Sequence, residues 1–293
     1  MSIYSIKELE KLSGIKAHTI RIWEKRYALL TPLRTETNIR YYGDNELVKL
    51  LNVTSLISLG FKISKISKMS NDEINQQLDN LIDDIKFSDS ISEVLTNQLI
   101  ASALHYDEHA FQKAFSLAIL RYGLIDTYIK VIYPLLEKVG ILWKKSDLMP
   151  AQEHFLSNLI KQKIQSAIDN VAPASPSDQP WVLFLLEEEV HDIGLLLSSY
   201  IIREHGRPVI YLGARVPTDS LYSVLELFPK AKLLFFLVKE FDGKDISSLV
   251  KNINANYPNS TIHISTNPKR VEKMEVDIDF EKINSVEDLL KKI

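Results

Sequence analysis

A proline-rich seam at residues 172–180 (Ala-Pro-Ala-Ser-Pro-Ser-Asp-Gln-Pro) separates two incompatible patterns of hydrophobicity in this chain. Three prolines in nine positions remove backbone donors and forbid both helix interior and central strand, so the seam reads as a linker. Beyond it, short apolar runs at 182–186, 209–212, 233–238, 261–265 and 276–280 alternate with helical segments. That alternation predicts a parallel α/β sheet. In such sheets ligands bind beyond the carboxyl ends of the strands, which directs attention to the loops after residues 186, 212, 238 and 265.

Before the seam the spacing is helical almost throughout. Ser5 followed three residues later by Glu8 forms a capping box for a helix from Ile6 to Leu12, and Ser13-Gly14 ends it. A second helix runs from Ala17 to Tyr27, burying Ile20 and Trp23 and leaving Arg21, Lys25 and Arg26 outside that stripe. Residues 30–42 hold two extended pieces around a polar tip, a β-wing. Asp44 is expected to cap a third helix carrying Leu47, Leu50, Leu51, Val53 and Leu56, with Gly60 past its end. Residues 71–90 are polar and acidic and suit a connecting helix. From Ile91 to Val171 breaks near Asp107, Gly123 and Met149-Pro150 leave room for four helices, hence a bundle. The expected domains are 1–75, 76–172 and 180–293.

Charge is distributed unevenly. Residues 1–70 carry 12 Lys/Arg against 6 Asp/Glu, while the remaining residues carry 23 against 32, within a chain of 293 residues and net charge −3. A basic head on an acidic body calls for an anionic partner at the head. The absence of cysteine excludes disulfides, thiolate metal sites and a cysteine nucleophile. No uncharged apolar run reaches the length of a membrane span, and the first residues lack a secretory pattern, so a soluble cytoplasmic protein is expected, with no membrane partner. A phosphate-cradling glycine loop, a G-x-S-x-G elbow and an H-E-x-x-H helix are all missing from the sequence, and no enzymatic activity is expected.

The run Thr19-Ile20-Arg21-Ile22-Trp23-Glu24-Lys25-Arg26-Tyr27, followed by Pro32, Arg34, Asn38 and Arg40-Tyr41-Tyr42, resembles the winged helix-turn-helix of the MerR family over roughly residues 3–70. The resemblance implies a transcriptional regulator that binds double-stranded promoter DNA as a homodimer or homotetramer, with RNA polymerase as a further candidate partner. A recognition helix offers a few side chains to the major groove while wing residues clamp phosphates. Arg21 and Lys25, with Thr19 beside them, are candidates for the groove, and Arg26 and Asn38 share the same surface. Tyr27, Arg34, Arg40 and Tyr41 are candidate backbone clamps. Trp23 and Tyr42 are read as core.

Two constellations in the body extend the resemblance. Trp143 is followed after nine residues by Glu153-His154, and Glu189-Val190-His191-Asp192-Ile193-Gly194 follows the first run of the α/β segment. Together they are similar to the light-sensing, adenosylcobalamin-binding branch of MerR regulators, where a helical bundle accompanies a Rossmann-like cobalamin domain. The resemblance implies His191 as axial cobalt ligand, Glu189 or Asp192 as the carboxylate that orients it, Trp143, Glu153 and His154 on the upper face, and Gly194 letting the backbone approach the corrin. Gly213, in Gly213-Ala214-Arg215-Val216-Pro217, belongs to a further ligand loop.

The sequence also departs from that pattern. Where cobalamin domains carry Ser-x-Leu and Gly-Gly for the nucleotide tail, this chain has Phe236-Leu237-Val238-Lys239 and Ser265-Thr266-Asn267-Pro268, and Lys144 follows Trp143 where relatives commonly have histidine. Adenosylcobalamin is the cofactor that the resemblance implies, with another ligand in the same cleft, or a ligand-free oligomerisation module, as the alternatives.

Overall fold

The computed structural model describes residues 3–84, 91–143, 150–239, 241, 243–266 and 279–293, with backbone alone for 82–84 and 141–143. The chain divides into two compact units, Met1–Asn158 and Leu159–Ile293. No helix among the described residues is long and apolar enough to cross a membrane.

The first unit opens with α1 (Ile6–Ser13), whose capping box forms as the sequence predicts. Glu8 N donates to Ser5 Oγ at 3.4 Å and Ser5 N to Glu8 Oε2 at 2.7 Å, while Gly14 at φ 73° closes the far end. Helix α2 (Ala17–Tyr27) buries Ile20 and Trp23. The wing is a two-stranded antiparallel ribbon of β1 (Leu33–Arg34) and β2 (Arg40–Tyr41), in which Leu33 faces Tyr41 and Arg34 faces Arg40. Its base is fixed by reciprocal backbone hydrogen bonds between Tyr4 and Tyr42, both 2.9 Å, and both tyrosines are fully buried.

Helix α3 (Asp44–Ser58) starts one residue earlier than expected. Gly43 is the N-cap and donates its amide to Glu46 Oε2, whereas Asp44 is the first helical residue and accepts from the Tyr4 hydroxyl at 2.8 Å. The expected cap is thus consumed by a tertiary contact. A short α4 (Ile63–Ile66) and α5 (Asn71–Asp84) follow.

The helical segment then contains α6 (Ile91–His105), α7 (Glu108–Thr127), α8 (Tyr133–Trp143) and α9 (Pro150–Asp169), four helices as expected. Asp107 caps α7 by accepting from Ala110 N, and Pro150 occupies the first position of α9. The break near Gly123 is a kink at φ 71°, ψ 175°, after which a π-helical turn (Tyr128–Ile132) links α7 to α8. Helices α3 and α6 pack together: the buried Asn97 of α6 donates to Ser55 Oγ of α3 at 3.1 Å.

The second unit begins within α9. Beyond the linker lie β3 (Trp181–Leu186), α10 (Ile193–Glu204), β4 (Val209–Val216), α11 (Thr218–Leu227), β5 (Lys232–Leu237), α12 (Gly243–Asn256), β6 (Thr261–Thr266) and β7 (Glu281–Lys282). All pairings are parallel and the spatial order is β4-β3-β5-β6-β7, the doubly wound order of flavodoxin-like sheets. Residues 181–185 are buried on both faces, as a central parallel strand requires. The fifth strand expected at 276–280 is found later. Residues 276–278 lie outside the described residues, Phe280 packs on the core without pairing, and Glu281 and Lys282 form the ladder with His263 and Ile264. Apolar content marked the packing residue and missed the charged edge pair.

Candidate functional site

In the head, Arg21, Lys25 and Arg26 are exposed along α2, with Thr19 half-buried on its first turn. Among the described residues, neither Arg21 nor Lys25 forms an ion pair within the chain. The Arg26 guanidinium stacks 5.4 Å from the Tyr27 ring centroid. At the wing tip, Asn38 adopts φ 65°, and its Oδ1 accepts from Arg34 Nη1 at 2.6 Å, so these two exposed residues form one unit across the turn. Asparagine suits that position because its short polar side chain tolerates the left-handed region.

Arg40 is less free than its sequence suggests. Its Nε lies 3.3 Å from Glu24 Oε2, and Glu24 also accepts from the Tyr42 hydroxyl. Burial, then the Glu24 contact, pushes the Tyr42 phenol well above its ordinary range. This Tyr42–Glu24–Arg40 chain, which sequence reading did not anticipate, binds the wing to α2. Tyr41 is half-buried beside it, while Trp23 and Tyr42 are core residues as expected.

In the second unit the loop after β3 puts Glu189 and His191 together at the point where strand order reverses. Glu189 is fully buried. Its Oε1 accepts from Val190 N at 2.9 Å, His191 N at 3.1 Å and His191 Nδ1 at 2.5 Å, while its Oε2 accepts from Val238 N at 2.9 Å and Lys239 N at 2.7 Å. Burial alone would raise this carboxyl. The hydrogen bonds from His191 and from the Lys239 amide outweigh it and hold the pKa at about 2. Against an ionised Glu189 the Nδ1 atom is the donor, and Nε2 is left outside that contact on a side chain that is 42% exposed.

The structure thereby selects between the two carboxylates the sequence left open. Asp192 does not orient His191. It leads into α10 and pairs with Lys161 of α9 at 3.5 Å, and its charge, second to burial, raises the Tyr211 phenol on β4.

Gly194 makes room for Phe236: a Cβ at Gly194 would lie 2.8 Å from Phe236 Cε1. Gly213, at φ 82°, serves an irregularity in the β3–β4 ladder, where it pairs with Phe184 at a register shift, and Arg215 nearby also holds a positive φ of 57°.

Glu153 and His154 occupy the first turn of α9, half-buried and exposed respectively, next to a buried Gln152 that donates to Leu104 O at 2.9 Å. The Trp143 backbone ends α8. Its side chain and Lys144 lie outside the described residues, as do Asn267 and Pro268. Among the described residues no three His, Asp or Glu side chains gather to hold a metal ion. A metal at His191 would therefore take fewer than three ligands from these side chains. The paired Glu189 and open Nε2 fit an axial ligand to a metal that brings its remaining ligands in a macrocycle.

A basic winged helix precedes a doubly wound domain that holds one oriented histidine. Comparison with known proteins gives the type. Residues 4–73 match the MerR HTH family regulatory protein model and residues 95–167 match the B12 binding domain model. The chain combines a MerR HTH domain with a B12-binding domain, the make-up of a MerR-type transcriptional regulator.

It is 29% identical over 233 residues to the HTH-type transcriptional repressor CarH of Myxococcus xanthus, covering 77% of this chain and 76% of that protein. With CarA, also a repressor of Myxococcus xanthus, it shares 27% identity over 223 residues, covering 74% and 70%. Among solved structures, the monomethylamine corrinoid protein of Methanosarcina barkeri aligns with a TM-score of 0.49 and 14% identity over 70% of this chain and 95% of that one.

Proposed function

We propose that this regulator binds double-stranded promoter DNA through its head and is controlled in the cytoplasm by adenosylcobalamin, with His191 as the cobalt ligand. The observation that carries the reading is the Glu189–His191 pair: a buried carboxylate held by four backbone amides fixes the imidazole tautomer and leaves one nitrogen free for a metal. When bound, adenosylcobalamin supplies a cobalt–carbon bond that light can break. The chain's own residues do the rest. Glu189 keeps Nδ1 protonated and limits the ring's rotation, and His191 Nε2 offers the lone pair. Trp143, Glu153 and His154 are assigned as further ligand contacts.

For the head, we assign Arg21 and Lys25 to base edges, with Thr19 and Arg26 beside them, and Tyr27, Arg34, Asn38, Arg40 and Tyr41 to phosphates. The regulator acts as a homodimer or homotetramer whose oligomeric state follows the ligand, so that its occupancy sets how many heads meet the promoter. RNA polymerase is the partner through which a bound head would alter transcription.

The test is retention. Protein incubated in the dark with adenosylcobalamin and then desalted keeps the corrinoid absorption, and His191→Ala shifts that spectrum or loses it. A colourless desalted wild type overturns cobalamin sensing, and an unchanged His191→Ala spectrum removes His191 from its role.

A further inference from the structure

In a doubly wound sheet the natural recess for a ligand is the crevice where adjacent strands send their chains to opposite faces, here between the carboxyl ends of β3 and β5. In this chain that crevice is closed from within by three groups. Glu189, from the loop after β3, takes the Val238 and Lys239 amides of the loop after β5 on one oxygen, and Lys239 Nζ donates back to Glu188 O at 3.0 Å. The two loops are stitched in both directions.

The Phe236 ring, at the end of β5, fills the space left by the missing side chain of Gly194 on the first turn of α10. Further along the same edge, Thr266 Oγ1 donates to Leu237 O at 3.0 Å, tying the end of β6 to β5. Opening the recess would break charge-assisted hydrogen bonds to a buried carboxylate and displace an aromatic ring, both costly.

We infer that the ligand of His191 rests on the carboxyl edge of the sheet with no appendage inserted between β3 and β5, so that the corrinoid is recognised without its nucleotide tail. The inference rests on the cobalamin reading above and narrows it to a class: the cobinamides, corrinoids that lack the tail, are ligands in their own right. Complete cobalamin must release its own base from cobalt before His191 Nε2 can take that position. A protein that grips the freed tail recovers this cost, whereas a protein with a sealed crevice does not.

The experiment is a pair of spectral titrations of the full chain, one with diaquocobinamide and one with hydroxocobalamin, each repeated on His191→Ala. Cobinamide is expected to bind at least as tightly as cobalamin, with a spectral shift that His191→Ala abolishes. In Phe236→Gly, which vacates the notch, the ratio of the two dissociation constants is expected to move toward cobalamin. Tenfold tighter binding of cobalamin by the wild type overturns the inference while leaving the cobalamin reading intact. Binding of neither corrinoid overturns both. A cobinamide shift that survives in His191→Ala places the ligand elsewhere and overturns the inference as well.

Discussion

The winged helix and the α/β unit use charge in opposite ways. On α2, Arg21 and Lys25 project into solvent without an ion pair among the described residues, and their charge is available to a partner. In the loop after β3 the carboxylate of Glu189 is spent entirely inside the protein, on five hydrogen bonds, one of them from the ring of the part-exposed His191. A polyanion is met by many unsatisfied cations whose attraction is long-ranged and falls with salt. A metal centre needs one ligand atom aimed correctly, and aiming demands a rigid support. Substitutions should accordingly separate: those of the free cations on α2 alter binding and spare stability, and those around Glu189 alter stability and ligand geometry together.

The largest effect is expected at Glu189. Glu189→Ala leaves the amides of Val190, His191, Val238 and Lys239 without their shared acceptor, and a loss of about 3 kcal/mol or more in unfolding free energy is expected from denaturant melts. Corrinoid affinity should fall about 10- to 100-fold, the usual loss on removing a carboxylate that orients a metal-bound histidine. Unchanged stability would break the contrast at its stronger end.

Next comes Arg21→Ala, which should weaken binding to a duplex selected from a random pool by about 1–3 kcal/mol while the melting curve stays put. Arg40→Ala sharpens the same point. Because Arg40 also neutralises Glu24, its removal should lower affinity evenly across sequences and cost some stability as well.

Gly194→Ala is expected to cost about 1–3 kcal/mol by forcing the Phe236 ring out of its place. The smallest effect belongs to Asn38→Ala at the wing tip. There the left-handed backbone loses a tolerant residue and Arg34 its acceptor, for about 1 kcal/mol.

What was legible in the sequence was local. The capping box of Ser5 and Glu8, the α2 stripe of Ile20 and Trp23, the seam at 172–180 and three of the five strands depend on neighbours within a few positions and formed where expected, while β4 runs on to Val216 through residues expected to begin a loop. The fifth strand shows the limit, since Phe280 carries the apolar signal while Glu281 and Lys282 make the pairing.

Within the site, His191 and its two flanking carboxylates could be named, but choosing between them required distant partners. Lys161, thirty-one positions away, takes Asp192, and the amides after β5 take Glu189. The space beside Gly194 is illegible for the same reason. Its occupant, Phe236, is forty-two residues further along and meets it only because β5 is adjacent to β3. Long-range contacts of this kind leave no periodicity to detect.

The central claim is that the state of the α/β unit is communicated to the head through His191. The most direct measurement is a binding isotherm of the full chain on a selected duplex, in the dark, with and without adenosylcobalamin, for wild type and His191→Ala. The account predicts that adenosylcobalamin changes the midpoint or steepness of the wild-type curve and leaves the His191→Ala curve unmoved. Superimposable wild-type curves, recorded on protein that demonstrably retains the corrinoid, would contradict it.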